Sequence, residues 1–152
     1  MFIVAWFAVV FGAPSTAPAA PPPEPPLPVG ACACFEGTTH GNDDVTARLR
    51  LCHDLEGITG VFRWVGTRSG LSERALAGAP VSGGVQLRDL KLTIDRPNPG
   101  WRFCPVDRYD LQWTATGGLT GSFWSSACAD RAELALDRAT DDRCPEGERP
   151  GT

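Results

Sequence analysis

The sequence predicts an all-β protein: an antiparallel meander of about seven strands, closed into a small barrel or packed as a sandwich and stabilised by disulfides. Three observations carry this. No stretch keeps helical periodicity for the length a stable helix needs, and several short runs alternate apolar and polar residues between glycine-rich breaks. Six cysteines, Cys32, Cys34, Cys52, Cys104, Cys128 and Cys144, are spread along a chain that opens like an exported one.

The opening segment Phe2 to Ala13, FIVAWFAVVFGA, carries no charge and is too short to cross a bilayer. With Ala17-Pro18-Ala19 behind it, it reads as a signal peptide over residues 1–19, so no stable membrane insertion is expected after cleavage. Seven prolines lie between Pro18 and Pro28, a composition that favours an extended polyproline II spacer. Residues 20–31 are therefore assigned to a proline-rich linker, 32–144 to the β domain and 145–152 to a disordered polar tail. The expected location is secreted, or periplasmic at the cell envelope.

Within the domain, strands are expected at Val45 to Cys52, Ile58 to Val65, Leu71 to Leu76, Val85 to Ile94, Tyr109 to Ala115, Leu119 to Ser126 and Arg131 to Arg138. The apolar phase slips between Val85/Leu87 and Leu90/Leu92/Ile94, so a β-bulge is expected near Arg88-Asp89. Between Tyr109 and Ser126, matching apolar faces requires a three-residue loop of Thr116, Gly117 and Gly118, with Gly118 left-handed. That register opposes Ala115 to Leu119, Trp113 to Gly121 and Leu111 to Phe123, and lets Trp113 cover Gly121. Extended outward, it brings Cys104 to Cys128. Cys144 is expected to bond to Cys32 or Cys34, tying the ends of the domain together, and six cysteines otherwise leave fifteen pairings open.

The pattern G-[IL]-T-G-x-F occurs twice, at Gly57-Ile58-Thr59-Gly60-Val61-Phe62 and at Gly118-Leu119-Thr120-Gly121-Ser122-Phe123. Here the chain resembles the secreted up-and-down barrels of the avidin-like and calycin-like proteins, which implies a meander barrel. The Asn used by avidin-like binding sites is missing from Val65-Gly66-Thr67-Arg68-Ser69, so biotin binding does not carry over. Val29-Gly30-Ala31-Cys32 also resembles the lipobox of bacterial lipoproteins, which implies a lipid-anchored structural envelope lipoprotein as one alternative; a disulfide role for Cys32 is preferred.

A net charge of −4, with 14 basic against 18 acidic residues, argues against nucleic acid as a partner. His40 and His53 fall in a turn signal and at a strand end, in no catalytic or metal-binding spacing, and no P-loop, G-x-S-x-G or H-E-x-x-H is present. Neither a metal nor a cofactor is expected. Asn42, Asp43 and Asp44 read as a solvated turn, and Asp141 and Asp142 as part of a polar tail. Asp95 to Arg108 is long for a passive loop and carries Trp101, Arg102 and Phe103, residue types suited to recognition; Trp124 joins them as a candidate exposed aromatic. The expected function is a monomeric, non-catalytic binding module for a protein or glycan ligand, one concrete form being an inhibitor of an envelope enzyme. A hydrolase with an unrecognised carboxylate site is the other alternative.

Overall fold

Eight strands follow one another around a closed antiparallel barrel: β1 (Cys32–His40), β2 (Val45–Asp54), β3 (Gly57–Gly66), β4 (Gly70–Val81), β5 (Gly84–Pro97), β6 (Asp107–Trp113), β7 (Leu119–Ser125) and β8 (Asp130–Ala139). Each pairs with the next, and β8 returns to β1 with Gly37 opposite Leu136. This is a computed structural model that describes residues 26–40, 43–140 and 143–145. The signal peptide, residues 20–25, Asn42, Asp141, Asp142 and the tail beyond Pro145 lie outside the described residues.

The all-β meander expected from the sequence is present, as a barrel with eight strands instead of seven. The extra strand is β1. Its inward positions are Ala33, Phe35, Gly37 and Thr39, so the apolar alternation stops after Phe35 and the stretch resembles a turn. The other seven strands follow a period of two, broken where β4 meets β5, and their inward residues Leu49, Leu51, Ile58, Phe62, Leu76, Val85, Leu87, Leu111, Leu119, Leu134 and Leu136 form one core.

The G-[IL]-T-G-x-F echo acquires a structural meaning here. Both copies open a strand in the same phase, with Ile58 and Leu119, then Phe62 and Phe123, pointing into the barrel. The glycine between them, Gly60 or Gly121, lets the neighbouring strand close in: a Cβ on Gly60 would lie 2.6 Å from the Arg50 carbonyl oxygen, and one on Gly121 would overlap that of Asp110.

One local expectation is corrected, and another is met one residue along the chain. In the β6–β7 hairpin the faces match as expected, but the register is two residues shorter: Trp113 opposes Leu119, Leu111 opposes Gly121 and Tyr109 opposes Phe123. The loop is five residues, because Thr114 organises it. The Thr114 amide donates to the Gly118 carbonyl (2.9 Å), its own carbonyl accepts from Gly117, and its hydroxyl accepts from the Gly118 amide. Gly117, not Gly118, takes the left-handed conformation (φ 80°). Trp113 instead lies 5.9 Å from Phe35, and Ala115 is exposed in the loop. The β-bulge expected near Arg88-Asp89 is present beside that pair: in β5 the register against β4 slips at Leu90, and a second time at Thr93. The inward phase runs through Asp89, and Leu90 is exposed, because Asp89 has a buried partner in Arg74.

All six cysteines are paired, as Cys32–Cys52, Cys34–Cys144 and Cys104–Cys128. Cys104–Cys128 is the pair expected from the hairpin, and Cys144 joins Cys34 as one of its two expected partners. Three disulfides point to an oxidising environment, extracellular or periplasmic. The first two lie at the end where the chain enters. There Leu27 is buried in the core, His53 Nδ1–H donates to the Leu27 carbonyl (2.8 Å), and Gly30 and Ala31 pair with His53 backbone. This entry end is sealed by residues 26–31, and the opposite end carries the loops that follow β1, β3, β5 and β7.

Candidate functional site at the loop end of the barrel

Three loops are fastened together over this end. The Asp43 carboxylate accepts from the Ser69 amide (2.8 Å), the Ser69 hydroxyl (2.7 Å) and the Arg68 amide, tying the β1–β2 loop to the β3–β4 turn. The solvated turn expected at Asp43 is thus corrected: its side chain is a buried staple. Burial acts to raise its pKa, but the hydrogen bonds from Ser69, Arg68 and Asp44 outweigh that and hold it below the ordinary carboxylate range. Asn98 then fixes the start of the 98–106 loop, its amide nitrogen donating to the Ser69 carbonyl and its side chain to the Arg68 carbonyl (3.1 Å). Trp101 lies under the Arg68 guanidinium at 5.5 Å. The far side of the loop is held to the β7–β8 turn by Cys104–Cys128.

Beneath these loops is a cavity of about 60 Å³ lined by Thr39, Trp64, Arg74, Trp101, Phe103, Asp107, Phe123, Ser125 and Ala132, among others. Its floor is an ion cluster inside the barrel. Arg74 Nη1 donates to Asp89 Oδ2 (2.7 Å) and to Asp107 Oδ2, while Asp89 Oδ1 accepts from the Tyr109 hydroxyl (3.1 Å) and Asp89 Oδ2 from the Asp107 amide (3.2 Å). Burial raises the Asp89 pKa above the usual carboxylate value, opposed by Arg74 and by the Tyr109 hydrogen bond. Burial likewise lifts Tyr109 well above the normal phenol. Asp89 does not line the cavity; Arg74 and Asp107 do.

The decisive feature is what these groups leave unused. Thr39 Oγ1, Trp64 Nε1, Arg74 Nε, Asp107 Oδ1 and Ser125 Oγ are buried polar atoms without a hydrogen-bond partner among the described residues, and all five residues line this one cavity. Each such atom costs about 1–3 kcal/mol, and native structures keep few of them. No protein-family model, curated protein or solved structure matches the chain. The site is therefore read from its own geometry.

Of the residues singled out from the sequence, Trp101, Arg102 and Phe103 line the cavity, Trp101 and Phe103 half-buried and Arg102 exposed. Trp124 is not brought to them. It stands on the outer wall of β7, 48% exposed, opposite Arg108 on β6 and Arg131 on β8. His53 lies at the entry end, and His40 closes β1. Among the described residues, no group of three His, Cys, Asp or Glu is arranged to hold a metal ion.

Sequence reasoning missed Thr39, Trp64, Arg74, Asp107 and Ser125. A signal was present: Arg74 follows Ser72 and precedes Leu76, Asp89 follows Val85 and Leu87, and Asp107 precedes Tyr109 and Leu111, each a charge in the inward phase of its strand. Opposite charges in inward positions of three consecutive strands are expected to meet inside a barrel.

Proposed function

We propose that the protein is an exported, non-catalytic binding module that receives its ligand in the cavity at the loop end, beneath residues 98–106. The convergence of five unpartnered buried polar atoms on one cavity carries this reading. Small-molecule sites have this form, a concave apolar wall with a few convergent polar groups, and the mouths of barrels are a common place for them. Trp101, Arg102 and Phe103 form the rim that a larger ligand meets first. The Cys32–Cys52 bond, which occupies the sulfur a lipid would need, favours a released module over an anchored one.

The test is a thermal-shift and tryptophan-fluorescence screen of neutral sugars, organic anions, polyamines and fatty acids against the wild type and Ala132→Met, which fills the cavity from β8. The expected result is a ligand that stabilises the wild type and not the variant. Equal shifts in both proteins, or none with any probe, overturn the reading.

A second reading has one specific observation behind it. Trp124, flanked in register by Arg108 and Arg131, presents on the outer wall the residue types that dominate protein interfaces. In that reading the partner is a protein, and inhibition of an envelope enzyme is its concrete form.

A further inference from the structure

We propose that the ligand of the loop-end cavity is a neutral polyhydroxyl compound the size of one sugar ring, held with its hydroxyls on Thr39, Trp64, Arg74, Asp107 and Ser125. This deepens the binding-module reading and rests on it.

The argument is a matching of donors to acceptors. Trp64 Nε1 and Arg74 Nε can only donate, Asp107 Oδ1 of an ionised carboxylate can only accept, and the Thr39 and Ser125 hydroxyls do either. A ligand that satisfies all five must donate at one point and accept at two others within a single small space. Carboxylates only accept, inorganic phosphate donates through its remaining P–OH, and both would meet Asp107 with like charge. An ammonium group only donates, so it leaves both N–H groups unpaired and faces Arg74. A hydrocarbon chain answers none of the five. Hydroxyl groups answer every one, because each both donates and accepts.

Charge and size agree. Arg74 is already shared between Asp89 and Asp107, so the floor offers no surplus positive charge to draw an anion. The cavity of about 60 Å³ has room for about four waters, which admits the hydroxyl-bearing edge of a single ring and not an extended acyl chain. Most of the remaining wall is apolar and aromatic, with Phe123 and Trp64 edge to face at 5.1 Å and Ala132 beside them, surfaces on which the C–H face of a sugar packs, while Asp43, Asp130 and Arg102 add charges of both signs to the lining. Thr39, Arg74, Asp107 and Ser125 are each more than nine-tenths buried, so bulk water does not reach these groups freely.

Free sugars and the terminal residue of a glycan share this chemistry. The experiment therefore titrates the folded full-length protein by calorimetry with aldohexoses, N-acetylhexosamines and inositols, and with oligosaccharides carrying the same residues at the non-reducing end. Inorganic phosphate, putrescine and palmitate are the contrasting probes. Expected is saturable binding of at least one sugar, weakened about tenfold or more in Trp64→Phe and in Ser125→Ala and unchanged in Leu55→Ser, at the exposed turn of the entry end. Tighter binding of the oligosaccharide than of the free sugar assigns the source to a glycan; equal affinity assigns it to the free sugar. Binding of phosphate, putrescine or palmitate without any sugar, blocked by Ala132→Met, overturns the ligand class and leaves the cavity reading standing. If no probe binds, or binding is indifferent to Trp64→Phe, Ser125→Ala and Ala132→Met, both fall. Near-ultraviolet circular dichroism confirms that each variant retains its fold.

Discussion

At the entry end of the barrel, Leu27 sits on a wholly apolar layer that includes Leu51, Ile58, Val85, Leu111 and Leu136, and two of the three disulfides hold the chain around it. At the loop end, the equivalent inward positions belong to Thr39, Ser72, Arg74, Asp89, Asp107 and Ser125, all buried. Both ends are buried, but among the described residues the unpartnered polar atoms around a cavity are found at only one of them. The difference separates two tasks within one meander. The apolar half gains from burying surface, about 25 cal/mol per Å², while the polar half gives up stability to keep unpartnered hydrogen-bonding groups in the residues around a cavity.

The largest test of that contrast is Arg74→Met set against Leu51→Ala. Removing the cation leaves two buried carboxylates without their partner, which is expected to cost about 3–5 kcal/mol, whereas Leu51→Ala leaves only a void and costs about 2–5 kcal/mol. The two are told apart by pH. Asp89 already has a raised pKa, and losing Arg74 raises it further. Its favourable contribution is therefore complete below the unfolded value near 3.8 and lost as pH rises through the folded pKa. Chemical denaturation of Arg74→Met is expected to show a larger deficit at pH 7 than at pH 4, and Leu51→Ala the same deficit at both. A pH-independent deficit in Arg74→Met breaks the contrast.

Next in size is the disulfide that belongs to the loop end alone. Replacing both Cys104 and Cys128 by Ser opens a loop of 24 residues' separation, expected to cost about 3 kcal/mol. It also frees the far side of the 98–106 loop from the β7–β8 turn, so ligand binding is expected to weaken well beyond the change in Tm. Loss of stability with unchanged affinity shows that the cavity does not need its cover.

Asp43→Asn probes the staple that fastens two loops together. Hydrogen bonds to a charged group contribute about 1.5–3 kcal/mol, and the amide retains part of them, so a loss of about 1 kcal/mol is expected at neutral pH. Since the folded pKa of Asp43 is depressed, its contribution is present above the unfolded value of 3.8 and lost as pH falls through the folded one. The acid limb of the wild-type Tm profile should therefore be steeper than that of Asp43→Asn below about pH 4. Parallel limbs assign the acid response elsewhere.

The same contrast explains what was legible in the sequence. The apolar half was readable because period-two alternation of Leu, Ile, Val and Phe is the physical cause of a half-buried strand, and the Cys104–Cys128 pair followed from aligning β6 with β7. The loop end resisted because its logic is not alternation. β1 places Gly37 and Thr39 in inward slots, and Asp89, not Leu90, continues the inward phase of Val85 and Leu87, so the bulge lies one residue beyond Arg88-Asp89. The loop carrying Trp101, Arg102 and Phe103 stood out by composition, but the groups beneath it come from β1, β3, β4, β6 and β7, and only closure of the barrel brings them together. The two-residue error at Thr114 had a similar origin: side-chain hydrogen bonds within a loop set its length, and face matching alone allows any register of the correct parity.

The smallest expected effect sharpens the boundary of the loop end itself. Trp124 is adjacent in sequence to Phe123 and Ser125, both of which line the cavity, yet its side chain leaves the barrel on the opposite face. Trp124→Ser removes a side chain that is 48% exposed and packs only on the outer wall, so stability should change by about 1 kcal/mol or less, and affinity for a cavity ligand should be unchanged. The measurement is a calorimetric titration beside a thermal melt. If Trp124→Ser abolishes capture of a protein partner while sugar binding and Tm hold, the outer wall of β7 is a second recognition surface flanked by Arg108 and Arg131. If it weakens sugar binding as strongly as Ser125→Ala does, the alternation of inward and outward residues no longer separates wall from site, and the division between a self-satisfied half and a ligand-seeking half fails at the strand where it is drawn most finely.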